Sequence, residues 1–267
     1  MNVNKVYEED CLKTMSRMPE NFIDLTVTSP PYDNLRKYNG YSFDFESIAK
    51  GLFRVTKIGG LVVWIVGDAT VKGSETGSSF RQVLFFKDCG FRIHDTMIWN
   101  KCGLSFPESN RYYPQFEYMF VLSKGKPKTF NAISDRKNES VGNVRVSNLE
   151  RHVSGDKRPG RVTVAKEYGV RYNIWKQSGS NSNKLGHPAS FPERLAGDHI
   201  LSWSSENDLI YIRLFFYGDQ VPIIRLQAYI VWKRINDNVN HYGVCFDSLE
   251  KTAKVELGRY IEMKMVK

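Results

Sequence analysis

From residue 11 to residue 125 short apolar runs alternate with amphipathic ones, and this alternation limits the possible folds more than any other feature of the chain. "CLKTMSRM" (11–18) predicts a short helix closed by Pro19, and "FIDLTVTS" (22–29) a buried strand. "FDFESIAKGLFRVTK" (43–57) has apolar residues at 45, 48, 49, 52, 53 and 55, a helical spacing, with Ser42 or Asp44 as its cap and Gly59 and Gly60 as its stop. "LVVWIVGD" (61–68) reads as a strand, "SSFRQVLFFKDCG" (78–90) as a helix, and "FRIHDTMIWN" (91–100) and "FEYMFVLSKG" (116–125) as strands. Further on, 191–203 predicts a helix beginning at a proline, 208–216 a strand and 247–263 a final helix. Such a succession implies an α/β fold with a doubly wound, largely parallel sheet.

The strand at 22–29 ends abruptly in "SPPYDNL". The first proline removes a backbone donor and the second restricts the residue before it, so the chain must leave the sheet extended and rigid. Ser29 and Tyr32 then sit at a strand's carboxyl end, where open α/β sheets usually hold their ligands.

At 267 residues and 41% hydrophobic, the chain can form one sizeable domain with an insertion, or two smaller domains. It has no run of eighteen apolar residues, and Glu8, Glu9 and Asp10 stand where a signal peptide needs an apolar core, so a cytoplasmic protein without membrane spans is expected. Cys11, Cys89, Cys102 and Cys245 are scattered and have no histidine at ligand spacing, which argues for reduced, packed thiols and against a zinc site. The net charge of +9 is concentrated: residues 124–186 hold 14 Lys plus Arg against 5 Asp plus Glu, leaving 24 against 24 elsewhere. That segment, rich in Gly, Ser and Asn, reads as an irregular basic insertion suited to a polyanion, or as a solvated loop.

With its order of motifs, the chain resembles the amino-group DNA methyltransferases, which methylate N4 of cytosine or N6 of adenine using S-adenosyl-L-methionine. "TSPPY" matches their catalytic [DNS]-P-P-[YFW] motif. "YEEDCLKTMSRMPENFIDLTVTSPPY" is similar to the lead-in, "GGLVVWIVGD", "GFRIHDTMIWNK" and "FEYMFVLSKGK" to the strands that follow, and "HPASFPERLAGDHILSWSSENDLI" (187–210) to the segment before the cofactor glycine loop. This order is that of the circularly permuted beta class. The resemblance implies a Rossmann-like methyltransferase fold with a seven-stranded sheet. It divides the chain into a catalytic half (1–123), a basic target-recognition insertion (124–186) and a cofactor-binding half (187–267).

The same resemblance implies catalytic roles for Ser29, Pro30, Pro31 and Tyr32. The exocyclic amine is a poor nucleophile because its lone pair is delocalised into the ring, and the Ser29 hydroxyl and the Pro30 carbonyl are acceptors for its hydrogens. Tyr32 offers a stacking face for a base flipped from double-stranded DNA. Cofactor contacts are implied at Asp10, Cys11, Ser29, His187, Pro188, Phe191, Gly218 and Asp247, with Asp10 equally readable as the N-cap of the first helix. Lys126, Lys128, Arg136, Lys137, Arg145, Arg151, Lys157, Arg158 and Arg161 are candidate phosphate contacts. No metal is implied, and a homodimer is an expectation because relatives of this class often dimerise.

After residue 210 the chain departs from the pattern. In place of paired glycines it reads "YIRLFFYGDQVPIIRLQ", where only Gly218 remains and Tyr217, Asp219 and Gln220 would crowd a ligand. Cys245 stands at the acidic ribose-binding position, with Asp247 two residues on along the same strand face. Two other readings therefore stand beside a DNA methyltransferase: a DNA-binding relative deficient in cofactor, and a methyltransferase acting on protein or RNA.

Overall fold

The structure is a computed structural model and describes residues 9–30, 43–103, 109–146, 149–151, 157–159, 162–178, 192–205, 208–213, 227–236 and 239–245. The helices are α1 (Cys11–Arg17), α2 (Phe45–Val55), α3 (Ser78–Asp88) and α4 (Glu193–Trp203). The strands before the basic segment are β1 (Ile23–Thr28), β2 (Thr56–Val66), β3 (Thr70–Val71), β4 (Ser74–Glu75), β5 (Arg92–Asn100) and β6 (Phe116–Ser123). Within that segment lie β7 (Arg136–Lys137), β8 (Val144–Val146), β9 (Leu149–Arg151), β10 (Lys157–Pro159), β11 (Val162–Val164), β12 (Tyr168–Gly169) and β13 (Ile174–Lys176). Then come β14 (Ile210–Arg213), β15 (Gln227–Asn236) and β16 (Val239–Cys245).

The main sheet has the order β13-β5-β6-β2-β1-β14-β15-β16. Pairing is parallel for β13/β5, β2/β1 and β1/β14 and antiparallel for β5/β6, β6/β2, β14/β15 and β15/β16. Only β6 and β15 therefore run against the other six strands. The α/β class and the predominance of one strand direction agree with the sequence, while the described sheet has eight strands rather than the seven expected.

Alternation along β1 and β2 divides the core into two layers. Val62, Trp64 and Val66 face one side and pack with Cys11 and Met15 of α1, Ile48, Leu52 and Val55 of α2, and Val83 and Phe86 of α3. Leu25, Val27, Leu61, Val63 and Ile65 face the other side and pack with Leu195, Ile200 and Trp203 of α4. The first layer is strongly aromatic: Trp64 and Phe45 meet Phe86 edge to face with centroids 5.0 and 5.4 Å apart.

α2 forms where the 45-48-49-52 spacing predicts it, and Asp44 caps it by accepting from the Ser47 N–H at 3.1 Å. Gly59 and Gly60 do not stop this helix, since it ends at Val55 and β2 begins at Thr56. The glycines instead lie in a bulge: Ile23 pairs with Thr56 but Leu25 pairs with Leu61. Gly59 has φ +84°, and a Cβ on Gly60 would lie 2.8 Å from the Asp24 carbonyl oxygen.

Among the described residues, the basic segment is not wholly irregular. β7 to β12 pair as successive antiparallel ribbons, and β13 returns to the main sheet beside β5. The sequence concealed this because both faces of a two-stranded ribbon lie in solvent, so no apolar alternation is required of it. Cys11 is buried as expected, Cys89 is half-buried, and Cys102 is exposed rather than packed. The final helix expected at 247–263 lies outside the described residues.

Candidate active site at the carboxyl end of the central strand

β1 lies between β2 and β14, with α2 following it on one face of the sheet and α4 preceding β14 on the other. The connections thus diverge at the β1/β14 junction. A crevice opens at such a switch point beyond the carboxyl ends of the strands, and β1 delivers Ser29 and Pro30 there. Ser29 is half-buried and Pro30 is buried, while Pro31 and Tyr32 lie outside the described residues.

Below this rim is a cleft lined by Cys11, Met15, Thr26, Thr28, Pro30, Ile48, Leu52 and Trp64. α1 closes one side of it. Asp10 caps that helix by accepting from the Leu12 N–H at 2.8 Å, so the structural role open to it in the sequence is realised. Arg54 of α2 binds α1 from below, its guanidinium donating to the carbonyls of Met15 and, at 2.8 Å, of Met18. Trp64 turns its indole N–H away to Gln82 Oε1, 2.9 Å off, so the cleft wall it forms is apolar.

Thr26 and Thr28, two residues apart, share the cleft face of β1. The Thr26 hydroxyl is fully buried and has no hydrogen-bond partner among the described residues. An unpaired hydroxyl inside a protein costs about 1–3 kcal/mol, and one aimed into a cleft is suited to the polar edge of a ligand. An apolar wall with the Thr26 and Thr28 side chains beside it, next to the start of a capped helix, offers the kinds of contact that a flat heterocycle with polar substituents uses, such as that of S-adenosylmethionine. The sequence reading missed Thr26, Thr28 and Trp64. Threonines at the alternate positions 26 and 28 of the strand before the motif are the signal that marks the first two.

Beside this rim, at the end of β2, the Asp68 carboxylate accepts from Ser78 Oγ (3.0 Å), the Ser79 N–H (2.9 Å), Ser79 Oγ (2.5 Å) and Thr76 Oγ1 (3.3 Å). Burial pushes its pKa upward, but the bonds from Ser79, Ser78 and Thr76 together prevail and hold Asp68 below the usual carboxylate range. The start of α3 is thereby fixed to the end of β2.

Of the other expected cofactor contacts, Cys11 lines the cleft, while His187, Pro188, Phe191, Gly218 and Asp247 lie outside the described residues. The candidate phosphate contacts separate into groups. Lys126 and Lys128 are exposed, and Lys128 lies 3.9 Å from both Asp24 and Asp208, at the amino end of β1. Five residues of strand separate Asp24 from Ser29, roughly 17 Å at ~3.3 Å per residue. Arg136 and Lys137 form β7, where Arg136 lies over the Tyr172 ring at 4.6 Å. Arg145 is in β8, Arg151 in β9, and Lys157 and Arg158 in β10, while Arg161 lies outside the described residues. No helix among the described residues is long and apolar enough to cross a membrane.

Comparison with known proteins agrees with the fold. The sequence model of the DNA methylase family matches residues 23–211, ending where the chain begins to depart from the pattern of the resemblance. The chain is 58% identical over 197 residues to the orphan methyltransferase M.BamHII of Bacillus amyloliquefaciens, an alignment spanning 71% of this chain and 74% of that one. It is 25% identical over 230 residues to the type II methyltransferase M.BglII of Bacillus subtilis, covering 78% of this chain and 59% of the other. Among solved structures, the PvuII cytosine-N4-specific DNA methyltransferase superposes with a TM-score of 0.53 at 21% identity, over 77% of this chain and 72% of its own. This chain therefore belongs to the N6/N4 DNA methylase family, the S-adenosylmethionine-dependent DNA methyltransferases of restriction-modification type.

Proposed function

We propose that the chain methylates an exocyclic amino group of a base flipped out of double-stranded DNA, cytosine N4 in preference to adenine N6. The observation that carries this reading is the placement of Ser29 and Pro30 at the carboxyl end of the central strand, above a cleft whose buried Thr26 hydroxyl has no partner among the described residues. Serine at the first motif position supports the preference for cytosine.

S-adenosylmethionine, when bound, supplies the methyl group as an electrophilic carbon on sulfonium. In the proposed complex it is held by Asp10, Cys11 and Thr26 on the described side of the cleft. The Ser29 hydroxyl and the Pro30 carbonyl accept the amine hydrogens and localise the lone pair on nitrogen. Because β1 and two consecutive prolines fix these acceptors in advance, no reorganisation is needed as charge develops. Tyr32 stacks on the extruded base, and alignment of the amine with the methyl carbon provides most of the rate.

The test is methylome sequencing of DNA from cells expressing the protein, beside a Ser29→Ala variant. N4-methylcytosine at one recurrent site, lowered on the order of 10²-fold by the substitution, is the expected result. Absence of any modified base, with the folded protein present, sinks the proposal.

One observation favours a second reading, a DNA-binding relative that has lost its cofactor. β14 is followed by an antiparallel neighbour, β15, not by the parallel strand that a βαβ crossover would supply. Titration of S-adenosylmethionine by calorimetry separates the two readings: saturable micromolar binding excludes the second, and no binding at millimolar cofactor excludes the first.

A further inference from the structure

The carboxyl edge of the sheet carries more than Ser29 and Pro30. β6 runs against β2 and so starts on the edge where β1 and β2 end. Phe116, Tyr118 and Phe120 alternate onto the face that holds the cleft, since Phe120 packs in the same core layer as Trp64. Phe116 meets Tyr118 with centroids 5.3 Å apart, and Phe80, in the first turn of α3, meets Tyr118 at 5.4 Å. Phe80 and Phe116 are exposed, so this aromatic ledge is open to solvent. Thr28, Trp64 and Phe120 are in register across the three strands. Phe116 thus stands two strands across and three residues outward from Ser29, about 14 Å at ~4.8 Å per strand and ~3.3 Å per residue.

Beside the ledge a rigid frame holds one tyrosine in the open. β3 and β4 form a hairpin beyond the end of β2, closed by Lys72 (φ +49°) and Gly73 (φ +80°), the two positive-φ positions of a type I′ turn. Arg111, in the segment before β6, donates to Thr70 Oγ1 at 3.3 Å and to the Gly73 carbonyl at 2.5 Å of that hairpin. On the other side Tyr113 precedes Pro114, which restricts it to extended backbone, and the Gln115 carbonyl accepts from the Lys101 N–H at 2.9 Å. Between these anchors Tyr112 is 99% exposed. Its ring adds nothing to the core, yet its backbone is fixed on both sides, so it can meet a partner at little entropic cost.

We infer that Tyr112 is a wedge that enters the DNA base stack and fills the gap left by the base drawn to Ser29. Its place on the edge decides the partner. A base that reaches Ser29 comes from a duplex lying over this edge, and that brings the rest of the stack against the segment before β6. A second copy of the chain seated here would instead close the way to Ser29. A flat ring replaces the stacking lost by both neighbours of the extruded base, whatever their identity. The inference rests on the base-flipping reading above and adds to it the residue that holds the DNA open.

The test uses the full chain and two mixed-sequence duplexes, one intact and one with a single abasic site, a gap already free of its base. Affinity is followed by fluorescence anisotropy across salt concentrations. The unaltered protein should bind the abasic duplex roughly fivefold or more tightly than the intact one. Tyr112→Ala should lower affinity for the abasic duplex by about tenfold and abolish the preference, while Tyr112→Trp keeps it. The slope of log K against log salt should not change, because no phosphate contact is lost. Equal binding of both duplexes by the unaltered protein, or a preference that survives Tyr112→Ala, overturns the inference. So exposed a ring should leave the thermal midpoint unmoved when removed, and a lowered midpoint would assign it to the fold instead. A change in the sedimentation coefficient of the free Tyr112→Ala protein, with the preference intact, assigns the ring to a contact between copies and likewise overturns the wedge. A protein that methylates nothing yet shows the Tyr112-dependent preference refutes the proposed activity and leaves the wedge intact. Undiminished methylation by Tyr112→Ala does the opposite.

Discussion

Two buried residues carry the most specific consequences at the scale of single side chains. The Thr26 hydroxyl has no partner among the described residues, so its place in the fold is a cost in the free protein. Thr26→Val, nearly isosteric, should leave the thermal midpoint unchanged or raise it while weakening cofactor binding by several-fold. A loss of stability with unaltered binding would show that the hydroxyl serves the fold. His199 is fully buried, stacked on Trp175 at 4.5 Å with Nε2 3.2 Å from Met119 Sδ. Burial, aided by the positive charge of Arg171, pushes its pKa down to about 3. In the unfolded chain the ring gains a proton as pH falls through about 6.5, and the folded protein resists that gain. Stability contributed by neutral His199 is thus present above that pH and declines below it, by at most about 1.4 kcal/mol per pH unit. Denaturant titrations between pH 7 and pH 4 should show this slope, and His199→Gln should flatten it. His199 does not stand out in the sequence, where it is a lone histidine in a helix, and Thr26 is marked only by its alternation with Leu25 and Val27 and by Thr28 two residues on.

At the scale of elements, two joints hold the site strand. Asp24, buried at the start of β1, accepts from Lys57 Nζ at 2.5 Å and from the Leu209 N–H at 3.0 Å, tying β1 to both β2 and the approach to β14. Asp24→Ala leaves that donor unpaired and should cost about 1.5–3 kcal/mol in chemical denaturation, with hydrogen exchange rising first in β14. Asp68 joins β2 to α3. Its depressed pKa means that it contributes stability above its ordinary value of 3.8 and loses it as pH falls through the folded value, a window below that of His199. Because the carboxylate is partly solvated, Asp68→Ala should cost only about 1–2 kcal/mol. The helices and main-sheet strands up to residue 125 were legible because apolar residues mark them, as one face of each helix and as continuous runs in β1 and β2, which are covered on both sides, whereas the two-residue strands β3 and β4 were not. The basic ribbon was not legible, since its strands of two or three residues are selected by pairing with distant partners rather than by burial.

At the scale of the whole molecule, the excess charge of +9 is confined to residues 124–186, where the short antiparallel strands β7 to β10 carry Arg136, Lys137, Arg145, Arg151, Lys157 and Arg158. Binding to DNA should therefore weaken steeply with salt, whereas unfolding of the main sheet should not. Stopped-flow association and thermal scans at low and high salt would show the divergence. The strand-helix succession, the motif at Ser29 and the location of the charge were all present in the order of residues, because local periodicity, proline stereochemistry and composition are properties of neighbours along the chain. The reversal at β15, the convergence of Thr26, Cys11 and Trp64 on one cleft, and the separation of Lys128 from that cleft were not. Each depends on which distant segments pair and in which direction, and register and crossover are decided by long-range packing that no local pattern encodes.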